Sequence, residues 1–449
     1  MTTKAAHSII AQRTERTKWF QEDRFGMFIH WGLYAIPARG EWVRSMEQIS
    51  VEDYQPYFEE FNPDQYDPKQ WARAAKQAGM KYAVLTAKHH DGFCLFDSGL
   101  TAYKSTNTQA KRDLVREFLD AFRAEGLKVG LYYSLIDWHH PDYPAYGDPI
   151  HPMRNNEAFK RDPETFGSYL TYMHGQVREL LTNYGRIDIM WFDFSYGEMV
   201  GEKWQATKLM EMIRSLQPHI IVDNRLDASG EQGGSIYSDN PQLYSGDFAS
   251  PEQIIPPEGV QDEAGNPLPW EACITLNNDW GYNPNGHYKS AKVIVRKLVE
   301  CVSKNGNLLV NIGPDAKGAI PQKSLRVLAE VGQWMSKNRA SIYGCVKAGL
   351  DKPEWGRYTQ RGNKLYAHIF EESIGPINLR GLNGKIKRAR LLADGSELHI
   401  SKPWSAKQYT DDAFFNFSVP EHFSFALPDE TDTVVELELT ESSEVTEIE

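Results

Sequence analysis

Arg186-Ile187-Asp188-Ile189-Met190-Trp191-Phe192-Asp193-Phe194 is the stretch of sequence on which the prediction of the fold rests. Residues 187–192 are apolar except for one aspartate, and the run follows the loop-forming residues Asn183-Tyr184-Gly185. A short, continuous apolar run of this kind is typical of a strand buried on both faces in a parallel sheet. Asp193 stands at its C-terminal end, where the catalytic groups of barrel enzymes usually lie. The alternative is that Asp193 only caps the helix that follows.

Further strand-like segments surround this one in the sequence, and helical patterns separate most of them. The eight segments lie at residues 25–32, 81–88, 129–135, 187–192, 220–225, 244–252, 270–276 and 307–313. The helical patterns occupy residues 70–78, 113–125, 165–182, 203–216, 288–303 and 322–338, and a short helix is expected from Trp19. This alternation predicts an α/β fold in which residues 1–344 form a catalytic (β/α)8-like barrel of the TIM type. A doubly wound open sheet is the alternative, but no glycine-rich nucleotide turn follows any strand.

After Gly344 the helical periodicity ends, and short strand patterns separated by turns take its place. These patterns lie at residues 364–370, 387–393, 398–400, 423–425 and 433–439. A stretch of about 100 residues with this character predicts a C-terminal β-sandwich domain over residues 345–449. The acidic tail from Glu441 is expected to fray.

The composition excludes several classes of partner. The chain has 449 residues, of which 24% are charged and 41% hydrophobic, as is typical of a soluble globular protein. The net charge of −12 argues against nucleic acid as a partner, because phosphate binding needs a positive surface. No apolar run reaches about 18 residues, and residues 1–19 contain no apolar signal-peptide core. We therefore expect no membrane partner and a cytoplasmic location.

Aromatic residues make up 12% of the chain, which suits a sugar-binding cleft. Because protein cores and interfaces use the same residues, this enrichment also leaves a homo-oligomer open. The four cysteines are scattered without the spacing of metal ligands, and we expect them to be reduced, buried thiols. They are Cys94, Cys273, Cys301 and Cys345.

Polar and aromatic residues follow one strand after another, where a barrel would bring them to one end. They are His30-Trp31, His89-His90, Trp138-His139-His140, Trp191 with Asp193, Arg225, Asp247, Glu252 and Trp280. A metal site is disfavoured, because adjacent histidines in a strand point to opposite sides and no His-x-His or His-Glu-x-x-His pattern occurs. A Gly-x-Ser-x-Gly nucleophile elbow is also absent. Two carboxylates acting on a glycosidic bond remain.

Six motifs in the same order carry a resemblance to a known family. They are Phe28-Ile29-His30-Trp31-Gly32, Lys88-His89-His90-Asp91-Gly92-Phe93, Trp191-Phe192-Asp193, Trp270-Glu271, Trp280-Gly281-Tyr282-Asn283 and Asn307-Leu308-Leu309-Val310-Asn311-Ile312-Gly313-Pro314. Over about residues 15–340 the chain resembles the alpha-L-fucosidases of glycoside hydrolase family 29. The resemblance implies an exo-acting, retaining hydrolase without metal or cofactor. Its substrates would be oligosaccharides or glycoconjugates that end in alpha-L-fucose, cleaved by double displacement through a covalent fucosyl-enzyme.

The resemblance also implies roles for individual residues. Asp193 would be the nucleophile, and Arg225 would help to keep it ionised. The histidines would bond the ring hydroxyls, and Trp280 would pack on the edge of the sugar that carries the methyl group. The sugar-binding positions are His30, Trp42, His89, His90, Trp191, Arg225 and Trp280.

The acid/base is a choice between two glutamates. The family places this group in a mobile loop after the sixth strand, which favours Glu252, close to Pro251 and the Pro256-Pro257 pair. Glu271, the second choice, begins an apolar strand, and Glu41 and Asp247 come third. Two alternative functions stay open: a catalytically silent fucose-binding protein on the same scaffold, and a hydrolase of a related sugar such as an alpha-L-galactoside.

Overall fold

The computed structural model describes residues 3–228, 233–417 and 426–440. The predicted strand at 423–425 and the tail from 441 lie outside these ranges. The described ranges contain nine α-helices: α1 Thr3–Asp23, α2 Val43–Met46, α3 Val51–Glu60, α4 Pro68–Gln77, α5 Leu114–Ala124, α6 Phe166–Asn183, α7 Ala206–Leu216, α8 Ala291–Val302 and α9 Gln322–Asn338. The first seven of their strands are β1 Phe25–Ile29, β2 Tyr82–Lys88, β3 Lys128–Ser134, β4 Ile189–Asp193, β5 Ile221–Val222, β6 Glu271–Thr275 and β7 Asn307–Ile312.

These seven strands form one sheet in the order β5-β4-β3-β2-β1-β7-β6, and every neighbouring pair is parallel. The register sets Tyr132 opposite Trp191 and Ser134 opposite Asp193. All residues of β4 are buried, as the continuous apolar run predicts. The prediction of a parallel sheet is confirmed for seven of the eight segments, and the carboxyl ends of the strands meet at one edge.

The eighth predicted segment, residues 244–252, is not a regular strand. It makes isolated bridges, from Phe248 to Asp223 on the β5 side and from Glu252 to Cys273 in β6. Two local features interrupt the ladder: Pro251 has no N–H to donate, and Gly246 adopts a left-handed φ of 83°. The segment therefore runs between the two outer strands of the sheet and carries Glu252 toward the ends of β4 and β5.

Strand β5 is shorter than the predicted 220–225 because hydrogen bonds to side chains take the place of backbone hydrogen bonds between strands. Asp223 Oδ1 accepts from the backbone N–H of Phe192 at 3.0 Å, and Asn224 Oδ1 accepts from the N–H of Ser250 at 3.1 Å. These bonds satisfy backbone donors that a longer strand would otherwise pair. They also fix the loop that leads to Arg225.

The six helical patterns predicted after residue 69 correspond to α4–α9, whereas α2 and α3 were not predicted and α1 is much longer than expected. The apolar stripe of α5 is buried, and Asp113 caps the helix by accepting from the N–H of Arg116. Helix α1 has 21 residues and starts far before Trp19. It has no strong apolar stripe that would reveal it. Ionic contacts such as the bond from Arg16 to Asp247 at 2.7 Å hold it together with the buried ring of Phe20.

Two antiparallel sheets follow the last helix. Their strands are β8 Val346–Lys347, β9 Gly356–Arg361, β10 Lys364–Ile369, β11 Ile377–Leu379, β12 Ile386–Leu391, β13 Ala413–Phe415 and β14 Thr433–Leu439. The larger sheet has the order β12-β14-β10-β9-β8, and the smaller one pairs β11 with β13. The predicted strand at 398–400 is absent, since this segment makes only one bridge nearby, from Glu397 to Arg390.

Contacts between α8, α9 and this region are built largely on backbone oxygens. Trp334 Nε1 donates to the carbonyl of Asp432 at 3.0 Å, and Arg296 donates to the carbonyl of Phe370 at 2.7 Å. The four cysteines are buried, and none forms a disulfide. None of the helices within the described ranges combines the length and the apolarity needed to cross a bilayer.

Candidate active site

The carboxylate of Asp193 is held from both sides at the end of β4. Its Oδ2 accepts from the hydroxyl of Tyr132 at 2.8 Å, and its Oδ1 accepts from Arg225 Nη1 at 2.8 Å. The side chain is 12% exposed. Both oxygens are thus fixed by donors, and the carboxylate keeps one orientation with a narrow opening to solvent.

Arg225 joins Asp193 to Glu252. The same Nη1 that bonds Asp193 also donates to Glu252 Oε2 at 2.9 Å. The guanidinium lies over the ring of Trp191, 4.5 Å from its centroid, and its other nitrogens donate to Ser250. Although burial opposes it, the charges of Asp193 and Glu252 raise the pKa of Arg225 above its ordinary value. One permanently charged group therefore holds two carboxylates close together.

Three neutral histidines stand beside this pair. Burial lowers the pKa of His30 and His90 to about 3, and that of His89 well below its ordinary value. His90 Nδ1 lies 2.8 Å from the Ser134 hydroxyl, which itself donates to the carbonyl of Ile136. Since that hydroxyl has only one proton, His90 Nδ1 carries the hydrogen, and its Nε2 presents a lone pair 3.9 Å from Asp193.

His30 has the same tautomer as His90, with its hydrogen on Nδ1. Its Nδ1 lies 2.7 Å from Asn311 Oδ1, while the amide nitrogen of Asn311 donates to the carbonyl of Trp280. The amide oxygen therefore faces His30 and accepts its Nδ1 hydrogen, which leaves the Nε2 as an acceptor. His30 and His90 are thus suited to accept hydrogen bonds from hydroxyl groups.

Aromatic rings form the other walls. Trp280 lies against His30 with ring centroids 5.0 Å apart, and Trp42 contacts His90 at 5.1 Å. Trp191 stacks on Tyr132 at 5.8 Å. Flat apolar surfaces next to hydrogen-bond acceptors are what a pyranose ring needs, because its faces are apolar and its edges carry hydroxyls.

These groups enclose a cavity of about 110 Å³. A cavity of about 150 Å³ holds benzene, so this smaller space has room for no more than a single six-membered ring. Nine of the described residues that line the cavity are first-choice catalytic or sugar-binding residues from the sequence: His30, Trp42, His89, His90, Trp191, Asp193, Arg225, Glu252 and Trp280. Five more residues line it: Phe28, Glu41, Tyr132, Phe194 and Cys273.

Of the residues without a predicted binding role, Tyr132 has the shortest contact with Asp193. The period of a strand could have identified it, because residues 130, 132 and 134 share a face.

Glu41 was considered only as an acid/base. It is buried, accepts from the backbone N–H of Gly281 at 2.7 Å, and has a pKa raised by burial to about 7.

Asp247 lies outside the cavity. Its two oxygens bind Arg16 at 2.7 Å and Arg214 at 2.6 Å, and burial is outweighed by these charges, so its pKa is lowered. Asp247 therefore anchors α1 and α7 to the end of β5.

Glu271 also lies outside the cavity, at the opposite end of its strand from the site. It is 0% exposed, accepts from the hydroxyl of Tyr82, and has a pKa raised by burial to about 8. Its raised pKa favours the protonated form inside the sheet, away from the carboxylate pair.

Glu271→Gln is expected to retain turnover and to remove a pH dependence of stability. With a raised folded-state pKa, Glu271 binds its proton more tightly in the folded state, so the stability of the wild type falls as pH rises from about 4.5 to about 8. The stability of the variant relative to the wild type should therefore rise by about 4 kcal/mol between pH 5 and pH 8.5. Urea denaturation at the two pH values measures it, with the exposed Glu258→Gln as the control. A flat difference, or lost turnover, would contradict this reading.

A pair of carboxylates at the mouth of a one-ring cavity, above the carboxyl ends of parallel strands, defines a glycoside hydrolase. The family model described as Alpha-L-fucosidase matches residues 3–340, and the chain belongs to this family. The resemblance seen in the sequence motifs is thereby confirmed.

Solved structures and curated relatives agree with this assignment. The chain is similar to alpha-L-fucosidase isoenzyme 1 from Paenibacillus thiaminolyticus, with 66% identity and a TM-score of 0.91 over 95% of this chain and 99% of that one. A trapped covalent intermediate of a Bacteroides thetaiotaomicron alpha-L-fucosidase, in complex with 2-fluoro-fucosyl fluoride, has 30% identity and a TM-score of 0.81 over 95% and 96%. The human plasma alpha-L-fucosidase is 30% identical over 350 residues, which are 72% of this chain and 68% of the relative.

Proposed function

We propose that this protein is a retaining, exo-acting alpha-L-fucosidase in which Asp193 is the nucleophile and Glu252 the acid/base. The observation that carries the proposal is the nitrogen shared by the two carboxylates. Because Arg225 Nη1 bonds one at 2.8 Å and the other at 2.9 Å, the bonded oxygens are less than about 6 Å apart. Retaining glycosidases need about 5–5.5 Å between their carboxyl groups, and inverting ones about 6.5–9.5 Å.

In the first step Asp193 attacks the anomeric carbon while Glu252, acting in its protonated form, gives its proton to the glycosidic oxygen. The bond between carbon and leaving group breaks, and an ester forms between the sugar and Asp193. Tyr132 and Arg225 hold the attacking carboxylate in place, so little reorganisation is needed. The covalent intermediate trapped in the Bacteroides relative supports this route.

In the second step Glu252 acts as the base. It takes a proton from water, the resulting oxygen attacks the anomeric carbon, and Asp193 leaves with its electron pair. The side chain of Glu252 is 42% exposed, so water can reach it, whereas Glu271 is sealed inside the sheet. Two displacements on the same carbon return the original anomeric configuration.

The small volume of the cavity supports exo action on a terminal sugar. A ring that fills the space of about 110 Å³ leaves room for no second sugar beyond it. His30 and His90 would accept hydrogen bonds from the ring hydroxyls through their free Nε2 atoms. Trp280 would cover an apolar edge of the sugar, where the methyl group of fucose fits.

Proton NMR of the hydrolysis of phenyl alpha-L-fucoside tests the proposal. We expect alpha-L-fucose to appear first and the beta anomer to follow only by mutarotation. Initial release of the beta anomer would mean inversion and overturn the mechanism. Faster turnover of the matching alpha-L-galactoside would favour the related-sugar alternative. Sugar binding without turnover of either compound would indicate a silent binding protein.

We also infer that the complete architecture is a closed (β/α)8-like barrel followed by a β-sandwich. The bridges of residues 248–252 to both outer strands of the parallel sheet support closure. For the sandwich, Leu379 and Phe415 of the small sheet share one apolar core with Leu365 and Val435 of the large sheet. Two sheets that bury their inner faces against each other are the defining arrangement of a sandwich.

A further inference from the structure

A second, larger cavity of about 600 Å³ adjoins the one-ring cavity. Four residues line both spaces: Asp193, Phe194, Arg225 and Glu252. The catalytic pair therefore stands at the boundary between them. A glycosidic bond placed between Asp193 and Glu252 would have the sugar on one side, and its leaving group would enter the larger cavity, which we call the leaving-group groove.

The loop after Glu252 is anchored so that one apolar side chain remains uncovered. The backbone N–H of Gln253 donates to the carbonyl of Cys273 at 2.9 Å, and its amide donates to Thr275 at 2.9 Å. Gln253 adopts a φ of 55°, which turns the chain directly after the acid/base. The next residue, Ile254, lines the groove and is 58% exposed. An isoleucine this exposed has apolar area available for a ligand.

Apart from the catalytic groups, the described residues that line the groove are uncharged. Tyr237, Pro256 and Val260 contribute to its walls, and Ser195, Asn224 and Ser250 supply uncharged polar groups. Among the described residues that line it, only Asp193, Arg225 and Glu252 carry charge, and these are paired with one another. A charged leaving group would find no free counter-charge on these walls, whereas an uncharged ring with an apolar face would be accommodated.

We propose that Ile254 and Tyr237 are specificity-determining residues that select an uncharged leaving group with an apolar ring face, either a pyranose or an aryl ring. This inference rests on the proposed function and names the class of leaving group that the same site takes. The ring would lie against Ile254, with its linking oxygen at Glu252. Losing one apolar contact of this size changes kcat/KM by about tenfold.

The experiment compares three substrates that share the fucosyl group. Alpha-L-fucosyl fluoride has a leaving group of one atom, which cannot reach Ile254, whereas phenyl alpha-L-fucoside and a neutral fucosyl disaccharide each carry a ring. For Ile254→Ser we expect the ratio of kcat/KM between ring-bearing substrate and fluoride to fall about tenfold. Tyr237→Ala should lower the same ratio. Ile374→Ser, at an isoleucine that is 95% exposed and outside the groove, is the matched control and should leave the ratio unchanged.

The ratio separates leaving-group binding from damage to the site. A lower ratio on either ring-bearing substrate supports the inference, and the two substrates show whether an aryl ring or a pyranose makes the contact. An unchanged ratio in both variants overturns it, whether the separate rates stay the same or fall together. If the wild type hydrolyses the fluoride but the variants behave like the control, only this inference fails. If the wild type hydrolyses none of the three substrates, the proposed function is wrong, and so is the inference that rests on it.

Discussion

Asp193→Ala is expected to lower kcat for an aryl alpha-L-fucoside by a factor on the order of 10⁴ or more, because no other group can form the ester. Tyr132 and Arg225 would then face an empty space at the anomeric carbon. Azide is small enough to occupy that space, so it should restore part of the turnover and give beta-L-fucosyl azide. NMR identifies the anomer of the azide.

Asp239→Ala is the control for this experiment, because Asp239 is an exposed loop carboxylate. Its kcat should equal that of the wild type. Thermal denaturation of Asp193→Ala shows whether the variant is folded. Should folded Asp193→Ala retain more than about a hundredth of the activity, Asp193 is not the nucleophile.

Glu252→Ala is expected to lower the rate of hydrolysis by a factor that depends on the leaving group. A general acid contributes about 10²–10⁴ to the rate where the leaving oxygen needs a proton, so hydrolysis of a fucosyl disaccharide should fall by that factor. Fucosyl fluoride needs less protonation, and its first step should be nearly unaffected. Azide, which attacks without a base, should accelerate the second step and give alpha-L-fucosyl azide. Asp193→Ala should instead give the beta azide, so the anomer of the azide product distinguishes the nucleophile from the acid/base.

Two further variants complete this comparison. Glu258→Ala removes an exposed carboxylate six positions later in the same loop and should leave all rates unchanged. Glu271→Ala should destabilise the protein through the hydroxyl of Tyr82 without acquiring a response to azide. If instead azide rescues Glu271→Ala and not Glu252→Ala, the acid/base is Glu271.

The strands could be predicted where burial on both faces leaves a continuous apolar run, as before Asp193. The segment 244–252 could not, because its bridges depend on partners distant in the sequence, such as the contact of Asp223 with Phe248. Helix α1 was underestimated for the same reason. Its main anchor, the pair of Arg16 with Asp247, joins residues 231 positions apart.

The lining of the site could be predicted where polar residues directly follow strands. The sequence did not show, however, which of two adjacent, similar residues faces the site. Tyr132 and Tyr133 are adjacent and chemically alike. The structure points the first at Asp193, while the second donates to Gln176 in α6 at 2.7 Å. The order of preference between Glu252 and Glu271 likewise depends on Arg225, which contacts only the former.

Because His30 and His90 present acceptor nitrogens to the cavity, glycans whose terminal fucose carries an acetyl or methyl group should be affected. Each imidazole offers a lone pair to the cavity, so under the proposed function it would need a hydroxyl that still has its hydrogen. A fucose that carries an acetyl ester or a methyl ether at such a position can no longer donate, and the added group also needs space in a cavity of only about 110 Å³. Acylated or methylated fucose at a glycan terminus would therefore protect the chain beneath it until an esterase or a demethylase exposes the sugar.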